Sequence, residues 1–360
     1  MNRRGATAAA AITVALASSG CEFGPKQTQQ TGYRGAGLQQ ISDPDHVARA
    51  AAIPAPPYEL PPDGGISASE AYENVKVLND LSAERFNHLM ASITQWVAPP
   101  EQGCTYCHNP ENMASDEKYT KIVARRMLQM TRAINGRWTS HVQQTGVTCW
   151  TCHRGNTIPA FRWSEGERTL DPTSIRGNKR GQNTPDANVG YASLPNDPFG
   201  QYLRGGNQIR VASSSSYPRP DHVGSIKGAE ASYGLMMHIS YALGVNCTYC
   251  HNSQSFRSWT LSRAQRATAY YGIRMVRNIN DAYVEPLAPI LPADQKGPHG
   301  DAYKVNCTTC HQGLSKPLGG VSMLADYPEL KAPVAVAATP EAGQATAAAF
   351  RNPGQLTKAQ

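Results

Sequence analysis

The chain has 360 residues, of which 40% are hydrophobic, 17% are charged, 31 are glycine and 26 are proline. This composition is typical of a globular protein with many loops, and it excludes a bundle of membrane helices or a disordered chain. The formal net charge is +7. Because the basic residues are scattered and no basic aromatic stripe runs along the chain, we expect no nucleic-acid partner.

The N-terminus has the pattern of an export signal. Two arginines precede an apolar stretch over residues 6–17, and small residues lead from there to Cys21. Such a pattern is typical of secretory signals. Cys21 resembles the lipidated cysteine of bacterial lipoproteins, although Ser18 stands where leucine is usual. We expect a signal peptide over 1–20 and a lipid on Cys21 that holds the protein to a membrane; an uncleaved anchor helix and an incidental thiol are the alternatives.

Eight of the nine cysteines belong to four copies of the pattern C-x-x-C-H. The copies are Cys104/Cys107/His108, Cys149/Cys152/His153, Cys247/Cys250/His251 and Cys307/Cys310/His311. This pattern is the attachment motif of c-type haem. The two thiols form thioethers with the vinyl groups of one porphyrin, and the histidine is the proximal ligand of the iron.

Zinc ribbons and disulfides are the alternatives for these cysteines. A zinc ribbon uses two C-x-x-C pairs and needs no histidine after each pair. Histidine makes up 10 of the 360 residues, so a chance histidine after all four pairs has a probability of roughly one in a million. The sequence therefore predicts four covalently attached haem c groups, whose propionates offset much of the positive charge.

Each iron needs a sixth ligand, and side chains on helices upstream of the motifs are the candidates. Before the first motif, helical spacing places Met90 on the apolar face of a helix that Pro99 ends. Before the second motif, Met127 and His141 lie on one helical stripe that Gly146 breaks. They are about 21 Å apart along one helix, so they would bind two different irons.

Before the third motif, the same order of helix, break and motif places Met236 on an apolar stripe that Gly244 ends. A methionine on such a face is usually a core residue, and we interpret Met130 and Met237 in this way. The repeated arrangement nevertheless favours methionine as the sixth ligand of the first three haems.

The fourth haem has a different candidate. Residues 126–135 align with residues 271–280, and Gly272 stands where the earlier segment has a methionine. A glycine within a helix leaves room for a flat ring to approach. His141 is therefore the predicted sixth ligand of the fourth haem, and Met275 is the alternative.

The aligned segments indicate an internal duplication. One repeat covers 67–165 with haems 1 and 2, and the other covers 228–330 with haems 3 and 4. We expect a mainly α multihaem cytochrome c built from helix–turn–CxxCH units, with little β structure. Capping boxes that begin at Ser67 and Ser262 predict two helix starts. The remaining segments are an extended N-terminal stretch at 21–66, a connector at 166–227 and a disordered tail at 331–360.

Beyond its motifs, the sequence resembles the tetrahaem cytochrome c subunit of the photosynthetic reaction centre of purple bacteria. The resemblance covers 70–327 and the lipoprotein-type start. It is carried by Leu-Met with Ile-Thr-Gln-Trp-Val before the first motif, Ala-Arg-Arg-Met-Leu before the second, Leu-Met-Met before the third and Cys-His-Gln-Gly at the fourth. The family has three Met/His haems and a fourth bis-His haem, which implies the ligands Met90, Met127, Met236 and His141.

The resemblance also implies a role. A subunit of this family lies on the periplasmic face of the membrane, on the L and M subunits of the reaction centre. It re-reduces the photo-oxidised bacteriochlorophyll special pair and receives electrons from a soluble donor, either cytochrome c2 or a high-potential iron–sulfur protein. Its haems follow the order 3, 4, 2, 1 outward from the membrane. Irons with two side-chain ligands favour outer-sphere electron transfer, so we expect an electron carrier and not an enzyme.

Two other functions are open at this point. A multihaem reductase would need one iron without a protein sixth ligand, and it would bind carbon monoxide when reduced. A free periplasmic electron shuttle would wash off membranes. The histidines outside the motifs and their ligand sets are expected to be surface or packing residues: His46, His88, His222, His238 and His299.

Overall fold

The computed structural model describes residues 24–30, 39–165, 186–211 and 226–331. Helices make up most of its regular structure, and the strands form two short antiparallel pairs. The prediction of a mainly α fold is therefore confirmed. The signal peptide, Cys21, much of the connector and the tail beyond Lys331 lie outside the described residues.

Nine α-helices lie in the described part of the chain: α1 Pro44–Ala51, α2 Ala68–Ala71, α3 Ala83–Val97, α4 Tyr119–Arg137, α5 Thr139–Val142, α6 Cys149–His153, α7 Ile226–Leu243, α8 Ala264–Asn278 and α9 Cys307–His311. Tight 3₁₀ turns are Gly103–Tyr106, Ala187–Val189, Cys247–Tyr249, Glu285–Leu287, Ala293–Gln295, Pro317–Gly320 and Pro328–Lys331. Wider π-type turns are Gly200–Arg204 and Ile279–Val284. The strand pairs are β1 Gln27–Gln30 with β2 Gln39–Ser42, and β3 Arg162–Trp163 with β4 Lys304–Val305.

The same order of elements occurs in both stretches that carry two motifs. A long helix, α3 or α7, leads to a 3₁₀ turn that holds the first motif of the stretch. A second long helix, α4 or α8, follows, and the five-residue helix α6 or α9 holds the second motif. The duplication that this order suggests stays a prediction.

Several helix ends fall where the sequence predicts them. Helix α3 ends at Val97, two residues before Pro99. Gly146 and Gly244 have φ angles of +60° and +62°, which glycine adopts without strain. These turns lead the chain from a helix into the next haem motif.

One of the two predicted capping boxes is present. The Ser67 hydroxyl accepts from the Glu70 N–H at 3.3 Å, and the Glu70 carboxylate accepts from the Ser67 N–H at 2.9 Å. The box predicted at Ser262 is wrong, because α8 has Arg263 as its N-cap. The Ser262 hydroxyl donates instead to the carbonyl of Ser258 at 2.5 Å.

The prediction that one helix runs through His141 is also wrong. Helix α4 ends at Arg137, and Trp138 has φ −104° and ψ 30°, outside the helical region. The short helix α5 then carries His141. The weak helix former Gly136 lies in the last turn of α4, and the break redirects His141 so that its ring bonds to Thr268 of α8.

The N-terminal stretch is not wholly extended, as the sequence suggests, because it contains α1. Asp43 caps this helix through a side-chain bond of 2.9 Å to its first turn, and Pro44 is its first residue. The segment is held against the second haem motif, where the Trp150 indole N–H donates to the Ala52 carbonyl at 2.9 Å. Residues 44–52 therefore belong to the packed structure.

Three clusters of buried apolar side chains hold the helices together. The first joins α3 to residues 318–330, and the rings of Trp96 and Tyr327 lie 4.6 Å apart in it. The second packs α7 against the connector residue Phe199. The third contains Met130 of α4 and Met275 of α8. Because α4 and α8 share this cluster, the two motif-bearing stretches pack into one structure.

Replacing Gly244 by alanine should destabilise the protein. The added Cβ would overlap the carbonyl oxygen of Gly313, and the positive φ costs a residue with a Cβ about 1–2 kcal/mol. Gly300→Ala is the control, since its φ is +79° and, apart from its chain neighbours, no residue lies within 4 Å of the added Cβ. Thermal unfolding should show the larger loss for Gly244→Ala, and equal losses would contradict the predicted clash.

Candidate haem sites

No disulfide joins any of the eight motif cysteines to another. Burial raises the pKa of Cys149 and that of Cys307 to about 12, so both thiols are neutral in apolar surroundings. Helices α6 and α9 pack together, and the sulfur atoms of Cys152 and Cys310 lie 3.0 Å apart. The motif cysteines of α6 and α9 therefore lie in apolar surroundings that suit a macrocycle bound to them.

A cavity of about 800 Å³ adjoins α3, α4 and α6. This volume lies in the range of protein cofactor sites. Met90 and Met127 line it. The predicted attachment and proximal residues of the first two haems line it as well: Cys104, Cys107, His108, Cys149, Cys152 and His153. The structure therefore brings both ligand sets of the first two sites to one continuous space, and the donor set fits haem.

The five predicted histidine ligands share one hydrogen-bond pattern. Each presents ring Nδ1 to a backbone carbonyl, and because a carbonyl only accepts, Nδ1 carries the proton and Nε2 keeps its lone pair. The Nδ1···O distances are 2.9 Å for His108 to Met113, 2.9 Å for His153 to Asn156, 3.1 Å for His251 to Phe256, 2.9 Å for His311 to Leu314 and 2.9 Å for His141 to Thr268. Metal-binding histidines characteristically donate their second ring N–H in this way.

Three histidines without a predicted role use Nε2 instead. The contacts are His46 Nε2 to the Gln312 carbonyl at 3.0 Å, His88 Nε2 to the Tyr58 carbonyl at 3.2 Å, and the Cys307 N–H to His238 Nε2 at 3.3 Å. Their Nε2 atoms are therefore engaged by the protein backbone. The predicted ligands thus bond to the backbone through Nδ1 and these three histidines through Nε2. The sequence alone distinguishes the two groups only by their positions.

Burial keeps the candidate ligands neutral. Together with a smaller effect of the nearby His141, it lowers the pKa of His311 to about 4. Burial also lowers the pKa of His141, His153 and His251. Neutral imidazole is the form that binds a metal, so these side chains are ready to coordinate at neutral pH.

The rings of His141 and His311 are neighbours at a spacing that fits one iron between them. Their ring centroids are 6.0 Å apart. Two imidazole nitrogens bonded to one metal at about 2 Å each lie about 4 Å apart, so their ring centres lie about 6 Å apart. The ring of His141 lies against Gly272, where an added Cβ would be 2.5 Å from His141 Cε1. Glycine at this helical position leaves the room that His141 needs.

The third site is less closely assembled. Met236 on α7 is partly buried against the cluster that contains Phe199, and neither Met236 nor His251 lines the cavity of the first two sites. Met237 faces elsewhere, since its Cε would lie 3.1 Å from a Cβ added at Gly190. Met275, the alternative ligand of the fourth site, is only 4% exposed within the third core cluster.

Sequence reasoning missed two buried cations beside these sites. Lys121 and Lys304 are 8% and 0% exposed, and both line the cavity. Lys304 bonds to Asp301, to Glu285 at 3.1 Å and to the Ala302 carbonyl at 3.1 Å. Their positions in the sequence resemble those of ordinary surface lysines, so no local pattern signals their burial.

Comparison with known proteins agrees with this geometry. The family described as photosynthetic reaction centre cytochrome C subunit matches the chain over residues 22–331. The chain belongs to this family. The reaction center cytochrome c subunit of Rubrivivax gelatinosus is 48% identical over 92% of this chain and 91% of the relative. Those of Thermochromatium tepidum and Roseobacter denitrificans are 46% and 39% identical, over 86% and 85% of this chain and 76% and 86% of the relatives.

Membership in this family establishes the general function of the protein. It is an electron carrier with covalently bound haem c, not an enzyme, and it associates with a reaction centre and thereby with a membrane. Among the helices of the described residues, none has the length and apolar character that crossing a membrane requires.

Proposed function

We propose that this cytochrome carries four haems and re-reduces the photo-oxidised bacteriochlorophyll special pair with electrons from a soluble donor. The shared Nδ1 hydrogen bonding of five histidines, which places the proton of each neutral ring on Nδ1, carries the proposal. The proposed sites are site 1 with Met90, Cys104, Cys107 and His108; site 2 with Met127, Cys149, Cys152 and His153; site 3 with Met236, Cys247, Cys250 and His251; and site 4 with His141, Cys307, Cys310 and His311.

Haem, when bound, supplies an iron that changes between the ferrous and ferric states. In the proposed sites two side chains would bind each iron, which would leave no position for a substrate. Buried, hydrogen-bonded imidazoles also hold their orientation in both states. A methionine ligand raises the reduction potential and a second imidazole lowers it, so site 4 should have a lower potential than an otherwise similar Met/His site.

Contacts between the sites support the order 1, 2, 4, 3. Sites 1 and 2 share one cavity, and sites 2 and 4 meet where Cys152 and Cys310 lie 3.0 Å apart. Sites 4 and 3 are joined through His238, which bonds the Cys307 N–H and lies two residues after Met236 on α7. A linear series of this kind suits conduction between a donor at site 1 and the special pair near site 3.

The proposed partners and location follow from the same assignment. We place the subunit on the L and M subunits of the reaction centre, at the periplasmic face, with a lipid on Cys21 as its anchor. The donor would be cytochrome c2 or a high-potential iron–sulfur protein. Mass spectrometry of the mature N-terminal peptide would test the anchor, and an unmodified Cys21 would contradict it.

A light-induced difference spectrum of the purified complex tests the function. A flash should oxidise the special pair, and haem c should then be oxidised as the pair recovers. Recovery of the special pair without any haem oxidation would contradict the proposal. Extraction with salt should leave the cytochrome on the membrane, whereas release would favour a free shuttle.

A further inference from the structure

The carbonyl that orients the first proximal histidine also bonds a buried ammonium group. The Met113 carbonyl accepts from His108 Nδ1 at 2.9 Å and from Lys121 Nζ at 2.9 Å. Lys121 additionally donates to the carbonyls of Ala114 and Ser115 at 2.8 and 2.9 Å. Three carbonyls of the loop after the first motif therefore bond to one ammonium group. Its Nζ lies no more than about 6 Å from Nδ1 of His108.

The shared carbonyl has a predictable effect on the first iron. An imidazole that donates Nδ1–H to a carbonyl becomes a more basic ligand, which favours ferric iron. A cation on the same oxygen withdraws electron density, weakens that bond and makes the imidazole less basic. Lys121 also pairs with Asp116 at 3.5 Å, which offsets part of its charge; the positive charge that remains close to the ligand disfavours the additional charge of ferric iron. Both effects raise the reduction potential.

At site 3, which corresponds to site 1 in the second motif-bearing stretch, the cation and the proximal histidine have different partners. The alignment of 126–135 with 271–280 pairs Lys121 with Arg266. Arg266 donates to the Ser258 carbonyl at 2.9 Å and to the Ser262 hydroxyl at 2.8 Å, whereas His251 donates to the carbonyl of Phe256. At site 3 the cation and the proximal histidine thus bond to different carbonyls.

We propose that Lys121 is a positioning residue that raises the reduction potential of haem 1 by polarising the Met113 carbonyl to which His108 donates. The inference rests on the proposed haem at His108, which is checked independently by the mass of the peptide that carries Cys104 and Cys107. A peptide without haem would refute the haem site itself. If the peptide carries haem, the measured reduction potential of haem 1 decides whether Lys121 has the proposed role.

The test compares two cations that both pair with Asp116: the buried Lys121 at 3.5 Å and the partly buried Arg125 at 2.8 Å. Lys121→Met removes the ammonium, while Arg125→Met removes a charge that bonds to Asp116 at 2.8 Å and to the Asn74 carbonyl at 3.0 Å. Redox titration of the holoprotein should show a tenfold lower equilibrium constant for reduction of haem 1 in Lys121→Met, which is 59 mV for one electron. Arg125→Met should change it by less than threefold. A Met90→His variant identifies which component of the titration is haem 1.

Proton NMR of the reduced protein distinguishes the effect through the Met113 carbonyl from the direct electrostatic effect of the Lys121 charge on the iron. In Lys121→Met the Nδ1 proton of His108 should move downfield, because its hydrogen bond strengthens. Lys121→Gln keeps a donor for the loop if the methionine variant does not fold, and it should lower the constant at least threefold. The proposal would be overturned if either Lys121 variant left the potential of haem 1 unchanged, or if Lys121→Met and Arg125→Met shifted that potential equally. It would also be overturned if the chemical shift of the His108 Nδ1 proton did not change.

Discussion

Substituting alanine for Gly272 should displace His141 and remove the second imidazole from the fourth haem. The added Cβ would lie 2.5 Å from His141 Cε1 and 2.7 Å from Nδ1, so the ring cannot keep its place. The helix itself should tolerate the change, because alanine has a higher helix propensity than glycine. The reduced variant should then bind carbon monoxide at one haem, whereas the native protein should not.

The controls for this experiment come from the same chain. His141→Ala should give the same carbon monoxide adduct, since it removes the ligand directly. Gly136→Ala in α4 should leave the spectrum unchanged, because nothing outside the helix's own backbone and the neighbouring residues lies within 4 Å of its added Cβ. A Gly272→Ala variant that retains the spectrum of a bis-His haem would contradict the assignment of His141.

Replacing Met236 by histidine should lower the reduction potential of haem 3. Imidazole stabilises ferric iron more than a thioether does. The shift should be on the order of 100 mV, a fraction of the ~0.8 V that axial ligands span. Because haem 3 would then be oxidised at lower potential, the redox titration should lose one high-potential component.

Met237→His is the matched control for this prediction. Met237 is the adjacent residue on α7, and its side chain reaches toward Gly190. Its replacement should leave the potential of haem 3 nearly unchanged. A redox titration that is unaltered in Met236→His, or altered equally in both variants, would exclude Met236 as the ligand.

Much of the fold follows from short-range patterns in the sequence. Apolar spacing and breakers predict the ends of α3 and α7, since Pro99 and Gly244 act on the local backbone. The glycine at 272 likewise indicates a close approach by a ring. These inferences hold because each depends on a few neighbouring residues and on a steric rule.

Long-range features could not be predicted in this way. The break at Trp138 places His141 against α8, a contact between residues 127 positions apart. The burial of Lys121 depends on a loop that supplies three carbonyls, and no propensity encodes that. The Nδ1 bonds of the proximal histidines are also invisible in the sequence, because their acceptors are backbone atoms.

The number of covalent haems is the most direct test of the account. Intact-mass analysis of the mature protein, followed by mass analysis of its four motif peptides, should show one haem on each C-x-x-C-H motif. Ligand assignments, site order and electron transfer along the series all depend on this count. A mature protein that carries fewer than four haems, or a motif peptide without one, would contradict it.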